Sequence, residues 1–393
     1  GLPGDSVRAE VTEVHAGWAG ARLVDVESPS PDRRASPCPY VPRCGGCAYQ
    51  ELAYPAQLRL KEAVLRESLR RAGVAWEGDV ALHASPESGW RARASLHFAA
   101  GADGPRLGLR EEGSRRLVDV DGCLQLSNRM GAAARALREG LAGRPATWRG
   151  LRGLDLLEAP DGSTLVACLA TALPAREAQS LAGLAPGLPL DGFGVSAERR
   201  LLWLRGSPFV EATVLGVRLR AHVRSFFQAN RFLLEPLARE VAGLVEGGSG
   251  PVLDLYAGVG LFAMPLGARG EDVVAVEWSA SAAEDARWAA RENGLRRVQV
   301  LEGDVVRRLG DVPPAPGERV VLDPPRTGAG PEVVSAVAAR RPESVVYVSC
   351  DPPTLGRDLA SFAALGYRPD AGVLFDLFPD SFHLEAAVRL RAA

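Results

Sequence analysis

The sequence predicts an α/β fold built around a doubly wound, Rossmann-like sheet, and three observations carry that prediction. Strand-like apolar runs alternate with helical stretches from about residue 221 to the end. They are Val252–Tyr256, Val273–Glu277, Val298–Leu301, Val320–Asp323 and Ser344–Ser349, with Gly372–Phe378 and Leu384–Leu390 closing the chain. The first run passes into a glycine-rich turn, Ala257-Gly258-Val259-Gly260, ahead of a helical stretch. Acidic residues end the runs that follow: Glu277, Asp304 and Asp323. Strands alternating with helices form parallel sheets, and ligands of such sheets gather at the carboxyl ends of the strands.

The 393 residues suffice for two or three domains with full cores. Three segments are expected: residues 1–31 as part of a small OB-like β-barrel, residues 32–220 as a central α+β domain, and residues 221–393 as the sheet domain. Hydrophobic residues make up 47% and charged residues 24%, the balance of an ordinary soluble globular chain. No apolar run is long enough to span a bilayer, so no membrane partner is expected. The chain lacks an initial Met, nothing at its start resembles a signal peptide, and a cytoplasmic monomer is expected. With 46 basic and 48 acidic residues the net charge is -2, so only local patches could recognise nucleic acid. Lys61 is the only lysine, and nearly every cation is therefore an arginine fork suited to phosphates and base stacking.

Taken in order, Val7-Arg8-Ala9-Glu10-Val11 and Ala21-Arg22-Leu23-Val24-Asp25-Val26 alternate as strands of a small barrel. Two strands are too few to close one, and further strands are expected before residue 1. A Pro-rich linker, Ser28-Pro29-Ser30-Pro31-Asp32-Arg33-Arg34, follows. Cys38, Cys44 and Cys47 then stand in a C-x5-C-x2-C pattern with Gly45-Gly46 inside it. Paired glycines let sulfurs converge, as zinc sites and iron–sulfur clusters both require. Cys123, in the turn-like Asp121-Gly122-Cys123, is the candidate fourth ligand. Cys168 lies in the apolar run Leu165–Leu169 and reads as core. Residues 51–72 read as a solvated helix with a basic face of Arg59, Lys61, Arg66, Arg70 and Arg71. Residues 80–220 mix short strands with one helix near Ser127–Leu141. Arg91, Arg93, Arg106, Arg110, Arg115 and Arg116 accumulate there, as an RNA-facing surface or a solvated face.

Val345-Val346-Tyr347-Val348-Ser349-Cys350 reads as a buried strand that presents a thiol at its carboxyl end. That thiol is a nucleophile or a small buried hydrophobe. Asp254, Glu277, Asp304 and Asp323 at successive strand ends suit a nucleoside ligand, with Glu277 on the ribose and Asp304 reaching an adenine amino group. Asp254 and Asp304 have the alternative of capping helices. Ala263 stands where a nicotinamide-type turn has its third glycine, and Asp-Leu-Tyr-Ala-Gly suits S-adenosylmethionine better.

These motifs together resemble the RNA uracil-5 methyltransferases, most closely their cluster-bearing 23S rRNA branch. The resemblance covers nearly the whole chain: the Gly-Leu-Pro-Gly-Asp start, the cysteine pattern, Arg224-Ser225-Phe226-Phe227-Gln228-Ala229-Asn230, the Gly-rich turn, Asp-Pro-Pro-Arg at 323–326, Ser349-Cys350-Asp351-Pro352, and His383-Leu384-Glu385. It implies a class I methyltransferase domain, a partial TRAM barrel, and a [4Fe–4S] cluster on Cys38, Cys44, Cys47 and Cys123. It further implies that Gln228, Tyr256, Gly258, Glu277, Asp304 and Asp323 hold S-adenosylmethionine, with Cys350 as nucleophile and Glu385 as base. Leu261 departs from relatives, which often carry Asn there.

Carbon 5 of uracil is a poor nucleophile. A thiolate added at C6 places electron density on C5, and a base must then take the C5 proton. His383 is expected to orient Glu385. The target base must leave its stack, so a single-stranded loop is the expected substrate. 23S rRNA is expected, with the T-loop of tRNA as the alternative. The rival class is a non-catalytic RNA-binding or ribosome-assembly factor, which intact Cys350 and Glu385 disfavour.

Overall fold

The computed structural model describes residues 1–392 except 75, 77, 198 and 199. Residue 393, the last of the expected sheet domain, lies outside the described residues. The chain opens as an antiparallel ribbon, β1 (Ser6–His15) and β2 (Trp18–Ser28), in which every residue of β1 is exposed. Helix α1 (Tyr54–Arg71) carries Pro55 in its first turn, where a missing N–H costs nothing, and the short β3 (Ala81–His83) follows.

A seven-stranded sheet comes next. Its elements are β4 (Arg93–Ala100), β5 (Pro105–Arg110), β6 (Leu117–Asp119), α2 (Asn128–Ala142), α3 (Pro145–Trp148), β7 (Leu151–Glu158), β8 (Leu165–Thr171), α4 (Ala175–Gln179), β9 (Gly192–Ala197) and β10 (Arg200–Arg205). The order is β10-β9-β8-β7-β4-β5-β6. Ser127 caps α2 by accepting from the Met130 N–H at 3.0 Å. The helix lays Met130, Leu137 and Leu141 against Leu154, Leu156 and Leu169 of the sheet. Cys168 is buried, as its apolar run predicts.

A hairpin, β11 (Phe209–Val214) and β12 (Val217–His222), leads through α5 (Leu234–Val245) to the second sheet. Its elements are β13 (Val252–Leu255), α6 (Ala263–Ala268), β14 (Val273–Glu277), α7 (Ala280–Glu292), β15 (Val298–Glu302), α8 (Val305–Asp311), β16 (Arg319–Leu322), α9 (Gly330–Ala339), β17 (Ser344–Ser349), α10 (Pro352–Ala364), β18 (Tyr367–Phe375) and β19 (Glu385–Ala392). The order is β15-β14-β13-β16-β17-β19-β18-β3. The α/β, doubly wound reading holds for β13 to β17, which are parallel.

Two expectations are corrected here. The sheet is not parallel throughout, because β19 runs antiparallel to both β17 and β18. The connection from β18 to β19, residues 376–384, is too short for a crossover helix, and a parallel pair needs one. The solvated basic face expected for α1 is also interrupted. Lys61 is buried at 1% exposure, and its Nζ donates to Asp376 Oδ1 at 2.5 Å and to the Phe378 carbonyl at 2.9 Å. Lys61 stands four and eight residues before Leu65 and Leu69, on the face that α1 buries, but its partner lies at the far end of the sequence. Helix α1 and β3, within the expected central domain, pack with the second sheet: β3 pairs with β18, and Leu65 and Leu69 of α1 share a core with Leu355 and Leu359 of α10.

Removing one member of a buried ion pair leaves the other charge unpaired. Lys61→Ala should therefore lower unfolding free energy by about 3–5 kcal/mol, read by urea denaturation, and Lys61→Met with Asp376→Leu should recover most of it.

Candidate active site at the carboxyl ends of the sheet

The carboxyl ends of β13, β14, β16 and β17 border a cavity of about 580 Å³, a size typical of small-molecule sites. Its first wall is the glycine turn. Tyr256 leaves β13 with φ +66°, and Gly258 and Gly260 follow at +56° and +92°. A Cβ on Gly260 would meet Met264 Cε at 2.8 Å, and the φ of +92° itself disfavours any side chain there. Glu277, ending β14, straps the turn: Oε2 accepts from the Gly258 N–H at 2.8 Å and Oε1 from the Ser279 N–H at 2.6 Å. Asp254 accepts from the Ala263 N–H at 2.9 Å while its other oxygen has no partner. It serves the start of α6 and does not line the cavity.

Gln228 enters from the loop after β12, and Arg93 holds that loop by donating to the Ser225 carbonyl at 2.6 Å and the Val223 carbonyl at 3.0 Å. Arg93 is thereby withdrawn from the expected RNA-facing set. Arg91 is likewise engaged, with Nε donating to Gln125 Oε1 at 2.9 Å. Asp323 leaves β16 at the head of Asp-Pro-Pro-Arg. The far end of that loop is fixed by Asp358, which accepts from the Ala329 N–H at 2.8 Å and from the Tyr347 hydroxyl at 2.6 Å.

Cys350 follows β17, and Asp351 caps α10 by accepting from the Thr354 N–H at 3.1 Å. Glu385 begins β19, one residue before Ala386, which pairs with Ser349. Thiol and carboxyl therefore line the same cavity together with Gln228, Tyr256, Gly258, Glu277 and Asp323. His383 lines it too. Its ring packs on Phe378 and Phe382, and among the described residues it makes no hydrogen bond to Glu385. Asp304 is not part of the lining; it is exposed and caps α8 through the Arg307 N–H at 3.0 Å. Leu261 and the aromatic Phe226 and Phe378 complete the apolar wall. Phe378 was read as a strand end, and the turn beginning at Asp376 had no local signal beyond Pro379-Asp380.

The cavity is acidic and poor in cations. Burial and the neighbouring Glu277 push Asp323 up to about 7. Burial, then Asp323, hold Glu385 well above the ordinary carboxyl range. Burial pushes the Cys350 thiol up to about 12, with Glu385 and Asp323 adding repulsion and Arg326 opposing them. Burial and surrounding cations bring His383 down to about 4, so its imidazole is neutral. Such a set of carboxyls favours a cationic ligand.

The four cysteines lie elsewhere. Cys38, Cys44, Cys47 and Cys123 border one small pocket together with Gln50 and Gln125. Among the described residues no group of three or more His, Cys, Asp or Glu is arranged to hold a metal ion.

Comparison with known proteins decides the family. The chain is 33% identical to the 23S rRNA (uracil(1939)-C(5))-methyltransferase RlmD of Alkalilimnicola ehrlichii, over 98% of this chain and 89% of that protein. It is 35% identical to the RlmD of Pseudomonas aeruginosa, over 100% of this chain and 88% of that protein. The chain belongs to the RNA uracil-5 methyltransferase family. The family profile described as tRNA (Uracil-5-)-methyltransferase matches residues 313–393, the stretch holding Asp323, Cys350 and Glu385. The tRNA (uracil-54, C5)-methyltransferase of Pyrococcus abyssi, solved with S-adenosyl-L-homocysteine, superposes with a TM-score of 0.75 at 27% identity, covering 99% of this chain and 93% of that one. Membership makes this protein an S-adenosylmethionine-dependent methyltransferase, and the acid-lined cavity suits a sulfonium.

Donor affinity should follow from these acids. An ionised carboxylate binds the cation and a protonated one does not. Affinity for S-adenosylmethionine should therefore rise with pH up to about 7 and fall by up to about tenfold per unit below it, with a proton released on binding. Calorimetry in buffers of different ionisation enthalpy reads this directly. S-adenosylhomocysteine, lacking the positive sulfur, should release fewer protons.

Proposed function

We propose that this protein methylates C5 of a uridine in 23S rRNA, with Cys350 as nucleophile and Glu385 as base. The observation that carries the reading is the placement of the Cys350 thiol and the Glu385 carboxyl on one cavity, at the carboxyl edge of the sheet. When bound, S-adenosylmethionine supplies an electrophilic methyl group on a sulfonium. Gln228, Tyr256, Gly258, Glu277 and Asp323 are the residues proposed to hold it; Asp304, which caps α8 off the cavity lining, would join them as an adenine contact only by turning its carboxylate from that cap. The Cys350 thiol gives up its proton to solvent, and Sγ bonds to C6 of the uracil as the C5–C6 π bond breaks and its electrons move onto C5 and the conjugated C4 oxygen. After C5 gains the methyl group, Glu385 takes the C5 proton. The electrons of the C5–H bond then re-form the C5–C6 double bond as the C6–Sγ bond breaks. Neutral His383 and the phenyl groups around it give the base an apolar seat. Arg326 is the cation that draws the thiol toward thiolate.

Two relatives over 30% identical along nearly the whole chain bear the 23S rRNA name, which supports that target. The Pyrococcus likeness favours a second reading, a tRNA uridine. Residues 1–31 are proposed as part of a TRAM barrel, residues 32–220 as the central domain and residues 221–393 as the methyltransferase domain.

A [4Fe–4S] cluster on Cys38, Cys44, Cys47 and Cys123 is part of the proposal. Four thiols line their pocket with no His, Asp or Glu beside them, and burial with mutual repulsion pushes Cys44 and Cys47 up. Burial pulls the nearby Arg91 guanidinium down, and thiolates at Cys123, Cys47 and Cys44 would oppose that, so the pocket suits thiolates whose repulsion a metal relieves. Iron and acid-labile sulfide in equal amounts check it; zinc alone counts against it.

Cys350→Ala should abolish turnover and leave donor affinity within about twofold, because its sulfur is proposed to bond only the base. Glu385→Gln should methylate and then stall, accumulating an SDS-resistant protein–RNA adduct; absence of that adduct removes Glu385 as the base. Mass mapping of 5-methyluridine in rRNA and tRNA from cells lacking the gene separates the two targets.

A further inference from the structure

The loop that joins β18 to β19, residues 376–384, carries Phe378 and His383 into the cavity and delivers Glu385. Little of what holds it comes from the sheet domain. Asp380, at its centre, is 3% exposed and non-glycine at φ +64°, a conformation that needs outside support. Its Oδ1 accepts from Arg34 Nη2 at 2.9 Å and Gln57 Nε2 at 3.0 Å. Its Oδ2 accepts from Gln50 Nε2 at 3.4 Å. Its N–H donates to Gln57 Oε1 at 2.9 Å, and its carbonyl accepts from the Tyr49 N–H at 2.8 Å. All these partners lie between residues 34 and 57, the stretch that contains Cys38, Cys44 and Cys47. Gln125, two residues from Cys123, donates both to Cys47 Sγ at 2.8 Å and to the Pro379 carbonyl at 3.4 Å.

We infer that Asp380 is a positioning residue, through which the four-cysteine segment fixes the loop that seats His383 and Glu385 in the active site. The inference rests on the Cys350–Glu385 reading for its kinetic consequence, but its structural consequence stands apart from it. The bonds to Asp380 come from Arg34, Tyr49 and Gln50, which flank the cysteines, and from Gln57 at the start of α1. Loosening the cysteine segment therefore removes the Arg34, Tyr49 and Gln50 bonds and loosens the loop, while the donor-binding turn at Gly258 and Glu277 stays in place. The cysteine site and the catalytic carboxyl are coupled by packing and hydrogen bonds, with no chemistry passing between them.

The test is hydrogen–deuterium exchange on the full chain as purified, paired with the adduct assay. Asp380→Gly suits it, because glycine adopts φ +64° freely and only the side-chain tethers are lost. Gln57→Ala removes two tethers from the other side and serves if Asp380→Gly folds poorly. Both variants should raise exchange across 376–385, leave 252–302 and donor affinity unchanged, and slow turnover by roughly 10- to 100-fold through kcat, with adduct persisting longer. Cys47→Ser should raise exchange in the same 376–385 window. Wild-type exchange at 376–385 in both tether variants would overturn the inference, even where activity falls. A wild-type enzyme that methylates without forming any adduct would instead overturn the nucleophile-and-base reading and leave the exchange result standing.

Discussion

Strand β19 runs against its neighbours, and the register of that reversal governs the site. Four of the five parallel strands leave Tyr256, Glu277, Asp323 and Cys350 at one edge of the sheet. A sixth parallel strand would begin at the opposite edge. Because β19 is antiparallel, it starts where β17 finishes, with Ala386 opposite Ser349. Glu385 and Cys350 thus leave neighbouring strands at the same mouth. A shift of one residue would turn Glu385 to the other face of the sheet. The fully buried Ala386–Val388 and Leu390 resist that shift, since it would exchange their places in the two cores.

That placement has an electrostatic cost, and the size of the cost orders the chemistry. A thiol held at about 12 is thiolate in roughly one molecule in 10⁵ at neutral pH. A unit positive charge at contact distance and intermediate dielectric is worth about 4 kcal/mol, or about three pKa units. A bound sulfonium is therefore large enough to recover most of the displacement, while exposed Arg326 alone is not. The same charge favours the ionised forms of Asp323 and Glu385, and each of these, once ionised, pushes back on the Cys350 thiolate. The three acids compete for one positive charge, which ties the ionisation of the proposed nucleophile and base to a bound donor.

What was legible in the sequence is what local chemistry dictates. The parallel strands β13 to β17, the glycine turn, the helix near Ser127–Leu141 and Cys168 as core all follow from periodicity and turn residues over a few positions. The cavity was legible because the motifs that resemble the family end on strands. The remainder depends on partners far apart in the chain. Only its register with Leu65 and Leu69 tells Lys61 from the other cations of α1, and Asp376, across the fold, makes it a buried pair. Arg91 and Arg93 read like Arg115 and Arg116, yet the first two face inward to Gln125 and to the loop before Gln228. Asp304 was ambiguous between a cap and a ligand, and its capping bond to Arg307 does not by itself choose.

The connection at 376–384 shows why such distant pairings belong at this position. A loop that carries a base must be rigid to within a fraction of an ångström, yet loops near a substrate entrance are poor in backbone hydrogen bonds. Here the rigidity is imported. Lys61 holds the loop at Asp376 and Phe378, the segment from Arg34 to Gln57 holds it at Asp380, and Asn230 holds Leu377 through its carbonyl at 3.1 Å. Asn230 closes the motif that begins at Arg224 and contains Gln228, so the loop proposed to hold the donor and the loop that leads to Glu385, the proposed base, share a fastening. The segments that supply these bonds lie before and between the two sheets in sequence. They are structural partners of the active site as much as candidate surfaces for RNA.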